Sequence, residues 1–143
     1  MIRKPRAAGF SLIELLLVLA ILGIVSGIAV PYYLSQRRRA RTIGDAEANA
    51  QVLRMLLESY KADNGVYGAS GAAYTWTYTS ANPTGGSAAK ALNFTPKGQS
   101  HMNYSLAIGG AGLTYTLQVK DPFIGNTVVY TVNQAGSATV AKY

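Results

Sequence analysis

The chain has 143 residues, with 13 Lys and Arg against 6 Asp and Glu, one His and no Cys. Its length allows one small soluble domain beside a long helix, and the lack of cysteine excludes disulfides and thiolate metal sites. The formal charge of +7, less the three N-terminal cations Arg3, Lys4 and Arg6, leaves +4; this mild excess describes a soluble basic surface better than a nucleic-acid binder.

Residues 1–9, MIRKPRAAG, form a short basic leader, whose cations favour the cytoplasmic face of a membrane. Residues 10–30 are apolar apart from Glu14, and about 21 residues as a helix cover roughly 32 Å, the hydrocarbon thickness of a bilayer. A secretory signal would pass from such a run to a small-residue cleavage site and a turn. Here the run continues through Pro31 into a polar helical pattern, so the apolar segment reads as retained. Glu14 has the greatest physical leverage, because an unpaired carboxylate in an apolar phase costs several kcal/mol. Gly23 and Gly27, four apart, would admit a second helix closely. With Pro31, which lacks a backbone donor, they make residues 23–31 the easiest part of the helix to bend.

Beyond Pro31, residues 34–64 read as amphipathic helix. Ile43, Ala46, Ala50, Leu53, Leu57 and Tyr60 are spaced 3,4,3,4,3 and form one stripe. Asp45, Glu47, Gln51, Arg54, Glu58 and Lys61 lie on the opposite face, with Arg54 and Glu58 four apart. Asp63-Asn64-Gly65 supplies the stop. Counted from Phe10 the helix runs about 53 residues, roughly 80 Å, and a domain this small cannot bury its first half. That half needs a bilayer or other copies of itself, which predicts a homopolymer with a helical core. Arg37, Arg38, Arg39 and Arg41 cluster beyond the span. They read as a solvated face, as a site for anionic headgroups, as partners for Asp45 and Glu47 of neighbouring copies, or, as a small remainder, as a DNA contact.

Residues 65–101 form a Gly-, Ser- and Thr-rich connecting region in which 82–87 read as loop, and Tyr74, Trp76 and Tyr78 alternate as in a strand or extended loop. Residues 102–143 read as antiparallel sheet. Tyr104, Leu106 and Ile108 precede a turn at 109–112; Leu113, Tyr115, Leu117 and Val119 follow; further strands run over 127–132 and 137–141. Short connections make a meander of three or four strands the economical topology. The fold class is therefore α+β, a long helix packed on an antiparallel sheet.

No catalytic constellation stands out, so the chain does not read as an enzyme. His101 has no second histidine or cysteine with which to share a metal, and the acidic residues are scattered. Asp121 and Asn126 are weak calcium candidates, well short of six to eight oxygen ligands. No cofactor is expected.

Gly9-Phe10-Ser11-Leu12-Ile13-Glu14 ahead of an apolar run resembles the class III signal of type IV pilins and of the pseudopilins of type II secretion. Residues 60–67, YKADNGVY, are similar to both groups. The resemblance implies a pilin-like fold, cleavage between Gly9 and Phe10 by a prepilin peptidase, and N-methylation of Phe10. It also implies that the soluble part is exported, that Glu14 guides assembly through the Phe10 amine of a neighbour, and that the helix around Gly23, Gly27 and Pro31 melts on packing. The chain would wait in the inner membrane and then enter a filament. Lacking a nucleotide-binding loop, it would depend on an inner-membrane assembly platform and its ATPase. An extracellular pilus for adhesion or motility and a periplasmic pseudopilus both fit; missing cysteines favour the second, a poor calcium loop the first. A monotopic inner-membrane binding protein is the more distant alternative, and nucleic acid is not an expected partner.

Overall fold

The computed structural model describes residues 9–78, 80–84, 92–98 and 100–141. Residues 1–8 of the basic leader and part of the connecting loop, residues 85–91, lie outside them. The chain divides after Arg39 into two compact units, and helix α1, Leu12–Asn64, contributes to both.

In the first unit α1 begins where Leu15 N–H donates to the Ser11 carbonyl at 3.2 Å. The helix continues unbroken through Gly23, Gly27 and Pro31. Leu, Ile and Val dominate this part, and each apolar side chain here is exposed, because no other element of this unit covers it. It is long and apolar enough to cross a membrane.

In the second unit, from Ala40, α1 buries Thr42, Ala46, Asn49, Ala50, Leu53 and Leu57. Ala46, Ala50, Leu53 and Leu57 follow the apolar stripe, whereas Ile43 and Tyr60 are half-buried at its margins. The small side chains of Ala46 and Ala50 leave room for the large rings that fill this core, Trp76, Tyr104, Tyr115 and Tyr130. The helix ends at Asn64. Gly65 follows with φ +78°, a left-handed conformation glycine takes without a Cβ clash, and its N–H donates to the Lys61 carbonyl at 2.7 Å.

The sheet has six antiparallel strands: β1 Ala73–Thr77, β2 Ser80–Thr84, β3 Asn103–Gly109, β4 Thr114–Asp121, β5 Thr127–Asn133 and β6 Ala138–Val140. Their spatial order is β2-β1-β3-β4-β5-β6. The α+β class and the meander from β3 to β6 agree with the sequence pattern, but the sheet has six strands where three or four were expected, with β1 and β2 added at its edge. β2 includes Asn82 and Pro83, which the sequence places in a loop; Pro is tolerated here because β2 is an edge strand. Cross-strand pairs Trp76↔Tyr104, Leu106↔Leu117 and Val119↔Tyr130 stack the inward residues of neighbouring strands.

Two departures from simple alternation have local causes. Leu113 is 52% exposed because a 3-10 turn at Gly110–Gly112, with positive φ at Gly110, Ala111 and Gly112, lifts it out of β4. The register of β5 shifts opposite Val119 and Lys120, so Val129 and Tyr130, adjacent in sequence, are both buried, as a bulge allows.

Candidate functional site

The residues singled out in the sequence form an exposed surface on the first unit. Gly9 is exposed and Phe10 is 74% exposed. Glu14 lies in the first turn of α1, and its side chain is also exposed. A Cβ added at Gly23 or Gly27 would meet nothing within 4 Å, so both positions are open to close approach by another helix. At Pro31 the helix loses one backbone donor; nearby, the Ser35 hydroxyl donates to the Tyr32 carbonyl at 2.7 Å. This surface carries a carboxylate near its start and aliphatic side chains beyond.

In the second unit α1 holds the connecting loop by a latch that the helical pattern does not reveal. Asn49 Nδ2 donates to the Lys97 carbonyl at 2.6 Å, and Asn49 Oδ1 accepts from Lys97 N–H at 2.9 Å. One turn earlier, Asp45 Oδ2 accepts from Ser100 N–H at 3.0 Å. Gly98 makes this approach possible: its φ is +108°, and a Cβ there would lie 2.7 Å from Asp45 Cγ. Asp45, expected on a solvated face, is thus half-buried and bonded to the loop. The one available clue is that Asn49 falls three residues after Ala46 and four before Leu53, in the apolar stripe, where a polar residue implies a buried partner.

Arg54 and Glu58 likewise turn toward the sheet side. Arg54 donates to Gln51 Oε1 at 2.9 Å and to the Tyr115 hydroxyl at 3.3 Å, while the Tyr67 hydroxyl donates to Glu58 Oε1 at 2.8 Å. Burial first, then the hydrogen bond to Glu58 and its negative charge, push the Tyr67 phenol up to about 12. Burial also raises Tyr74, Tyr104, Tyr115 and Tyr130 above the ordinary tyrosine value.

Asp121 and Asn126 have structural partners. Asp121 Oδ1 accepts from Phe123 N–H at 2.9 Å, capping a 3-10 turn at Pro122–Ile124, and Asn126 Oδ1 accepts from Asn103 Nδ2 at 3.1 Å. His101 is exposed and lies edge-on to Tyr78 with centroids 5.5 Å apart. Among the described residues, no group of three or more His, Asp and Glu is placed to share a metal ion.

Residues 4–30 match the prokaryotic N-terminal methylation motif. The chain is 35% identical over 64 residues to the type IV major pilin protein PilA of Myxococcus xanthus (strain DK1622), covering 45% of this chain and 29% of that protein. It is 32% identical over 65 residues to the type II secretion system core protein G of Pseudomonas aeruginosa, covering 46% of this chain and 45% of that protein. Each match therefore spans less than half the length of the relative. No solved structure matches the chain significantly. These findings show a prokaryotic N-terminal methylation motif at residues 4–30 and a similarity, over less than half of the chain, to a type IV pilin and to a type II secretion core protein.

Proposed function

We propose that this chain is a structural subunit of a type IV pilus-like filament used for adhesion or motility. The observation that carries the reading is the exposed apolar half of α1, with Phe10 and Glu14 at its start and open glycines at 23 and 27. A prepilin peptidase cuts after Gly9 and methylates Phe10. The inner membrane holds the subunit until an assembly platform, driven by its ATPase, extracts it. Burial of an aliphatic side chain contributes about 1.5–3 kcal/mol, so stacking many copies of this helix offsets loss of the bilayer. Glu14 sets the axial register by meeting the Phe10 ammonium of a neighbour, which removes two unpaired charges from an apolar phase. Melting of residues 23–31 accommodates packing.

Mass spectrometry of the N-terminal peptide, on sheared surface filaments and on membranes, tests this reading. The expected peptide begins at N-methylated Phe10 in both fractions, and Glu14→Ala leaves processing intact while lowering filament yield at least about tenfold, the order expected when an unpaired buried charge replaces a pair. An intact Met1 leader, or normal filaments from Glu14→Ala, overturns it. The similarity to core protein G and the lack of cysteine favour a second reading, a periplasmic pseudopilus of type II secretion; processed peptide in membrane and periplasm but never in sheared material selects it.

A further inference from the structure

One end of the sheet presents apolar side chains that the filament reading does not use. The 3-10 turn between β4 and β5 leaves Phe123 61% exposed and Ile124 46% exposed. Tyr78, just past β1, is 43% exposed. Its ring lies 5.7 Å from that of Phe123 and 5.5 Å from that of His101, with His101 and Phe123 6.4 Å apart. Three rings from three connections thus make one exposed cluster, flanked by Ile124.

Charges of both signs lie at this end, where α1 carries the exposed Glu47. The two carboxylates that adjoin the rings are hydrogen-bonded, Asp45 to Ser100 N–H and Asp121, 5% exposed, to Phe123 N–H. Lys97 and His101 remain at the surface. A cleft of about 190 Å³ runs beside the rings, lined by Thr77, Pro96, Lys97 and Met102 among others. Aromatic and aliphatic tips next to the Lys97 ammonium suit the interface of an anionic bilayer, where apolar groups enter about 5–10 Å and basic groups meet phosphate.

The position of the cluster within its unit points the same way. Asp45 and Asn49 pair with residues 97–100 at this end, whereas Arg54 and Glu58 pair with Tyr115 and Tyr67 toward the other. α1 therefore enters the unit, at Ala40, on the side of the aromatic cluster. Only residues 31–39 separate Ala40 from the apolar run that ends at Val30, and nine residues reach at most about 30 Å even when extended. Two of them, Arg37 and Arg38, are exposed cations.

From this arrangement we infer that Tyr78, His101, Phe123 and Ile124 form a lipid-docking surface that rests on the bilayer while the subunit awaits assembly. The inference rests on the membrane-held precursor proposed above. Docking holds the soluble unit down, and extraction into a filament must release it.

The chain has no cysteine, so single sites can be labelled cleanly. The mature chain carrying Phe123→Cys, Leu113→Cys or Leu19→Cys is labelled with an environment-sensitive fluorophore in vesicles of phosphatidylethanolamine and phosphatidylglycerol. Leu113, at the tip of the β3–β4 connection, is the exposed control on the opposite end; Leu19 reports insertion of α1. All three side chains are exposed, so the labels do not displace core. Spin-labelled headgroups are expected to quench the probe at 123 at least about twofold more than that at 113, consistent with a shallow interfacial depth, and equally at low protein density. Equal quenching at 123 and 113 with Leu19→Cys in lipid overturns the docking surface alone. A wet probe at 19 removes the membrane-held precursor and the docking surface together. Quenching at 123 that disappears as protein is diluted in lipid assigns the contact to a second copy and also overturns the inference.

Discussion

Asn49 shows how much one side chain contributes to the second unit. Its amide satisfies both backbone groups of Lys97 while the residue itself is 5% exposed. Asn49→Ala leaves those groups without their protein partner, a loss of about 1–3 kcal/mol. The expected result is a lower unfolding midpoint in detergent, with Asn49→Asp, which keeps the acceptor and loses the donors, also below the parent chain. An unchanged midpoint for Asn49→Ala would show that the latch contributes nothing to stability. Asp45 has the same character on a smaller scale, since its carboxylate occupies space that Gly98 alone leaves open. A helical projection assigns each residue a direction but not a partner 48 positions away, so neither contact was legible beforehand.

At the scale of the element, α1 is one helix with two kinds of surface. Its second half is stabilised by burial, with Leu53 and Leu57 inaccessible to solvent; its first half has no cover within its own unit. A larger side chain at Gly27 therefore meets no obstacle in the monomer and adds helix propensity of up to about 1 kcal/mol. Gly27→Leu is expected to raise or preserve the helicity of the monomer in detergent while reducing filament yield, because close approach needs small residues. Filaments at the parent level, measured by shearing and sedimentation, would show that this position does not face another helix. The strands teach a complementary lesson. Alternation located β3, β4 and β5, but Leu113 left its expected face because three consecutive positive-φ residues precede it, and β2 was hidden by the Pro that its edge position permits.

For the whole second unit, five tyrosines, Tyr67, Tyr74, Tyr104, Tyr115 and Tyr130, stand in the core, and that makes its stability sensitive to alkali. A phenol whose folded pKa lies above its unfolded value keeps a proton in the native chain that the unfolded chain releases. Its contribution is therefore complete below about pH 10 and declines as pH rises toward 12, the value to which Tyr67 is pushed. Tyr74, Tyr104, Tyr115 and Tyr130 shift in the same direction. The unfolding midpoint is expected to fall over that window, with tyrosinate absorbance growing as the unit opens. Tyr67→Phe should make the decline shallower, at the expense of the Glu58 hydrogen bond at neutral pH. A midpoint unchanged through pH 12 would contradict this account.

The sequence by itself determined what could be read from periodicity and local chemistry: the long helix, the α+β class, the apolar face, and the Gly9-Phe10 and Glu14 signature, all set by residues near one another along the chain. Tertiary structure alone decided the width of the sheet, the latch from Asp45 and Asn49 to the loop, the inward turn of Asp121, and the gathering of Tyr78, His101, Phe123 and Ile124. Apart from the local cap that turns Asp121 inward, these depend on contacts between distant segments. The free energy of a polar or aromatic side chain is set by the partner it finds after folding, and its place along the chain does not specify that partner.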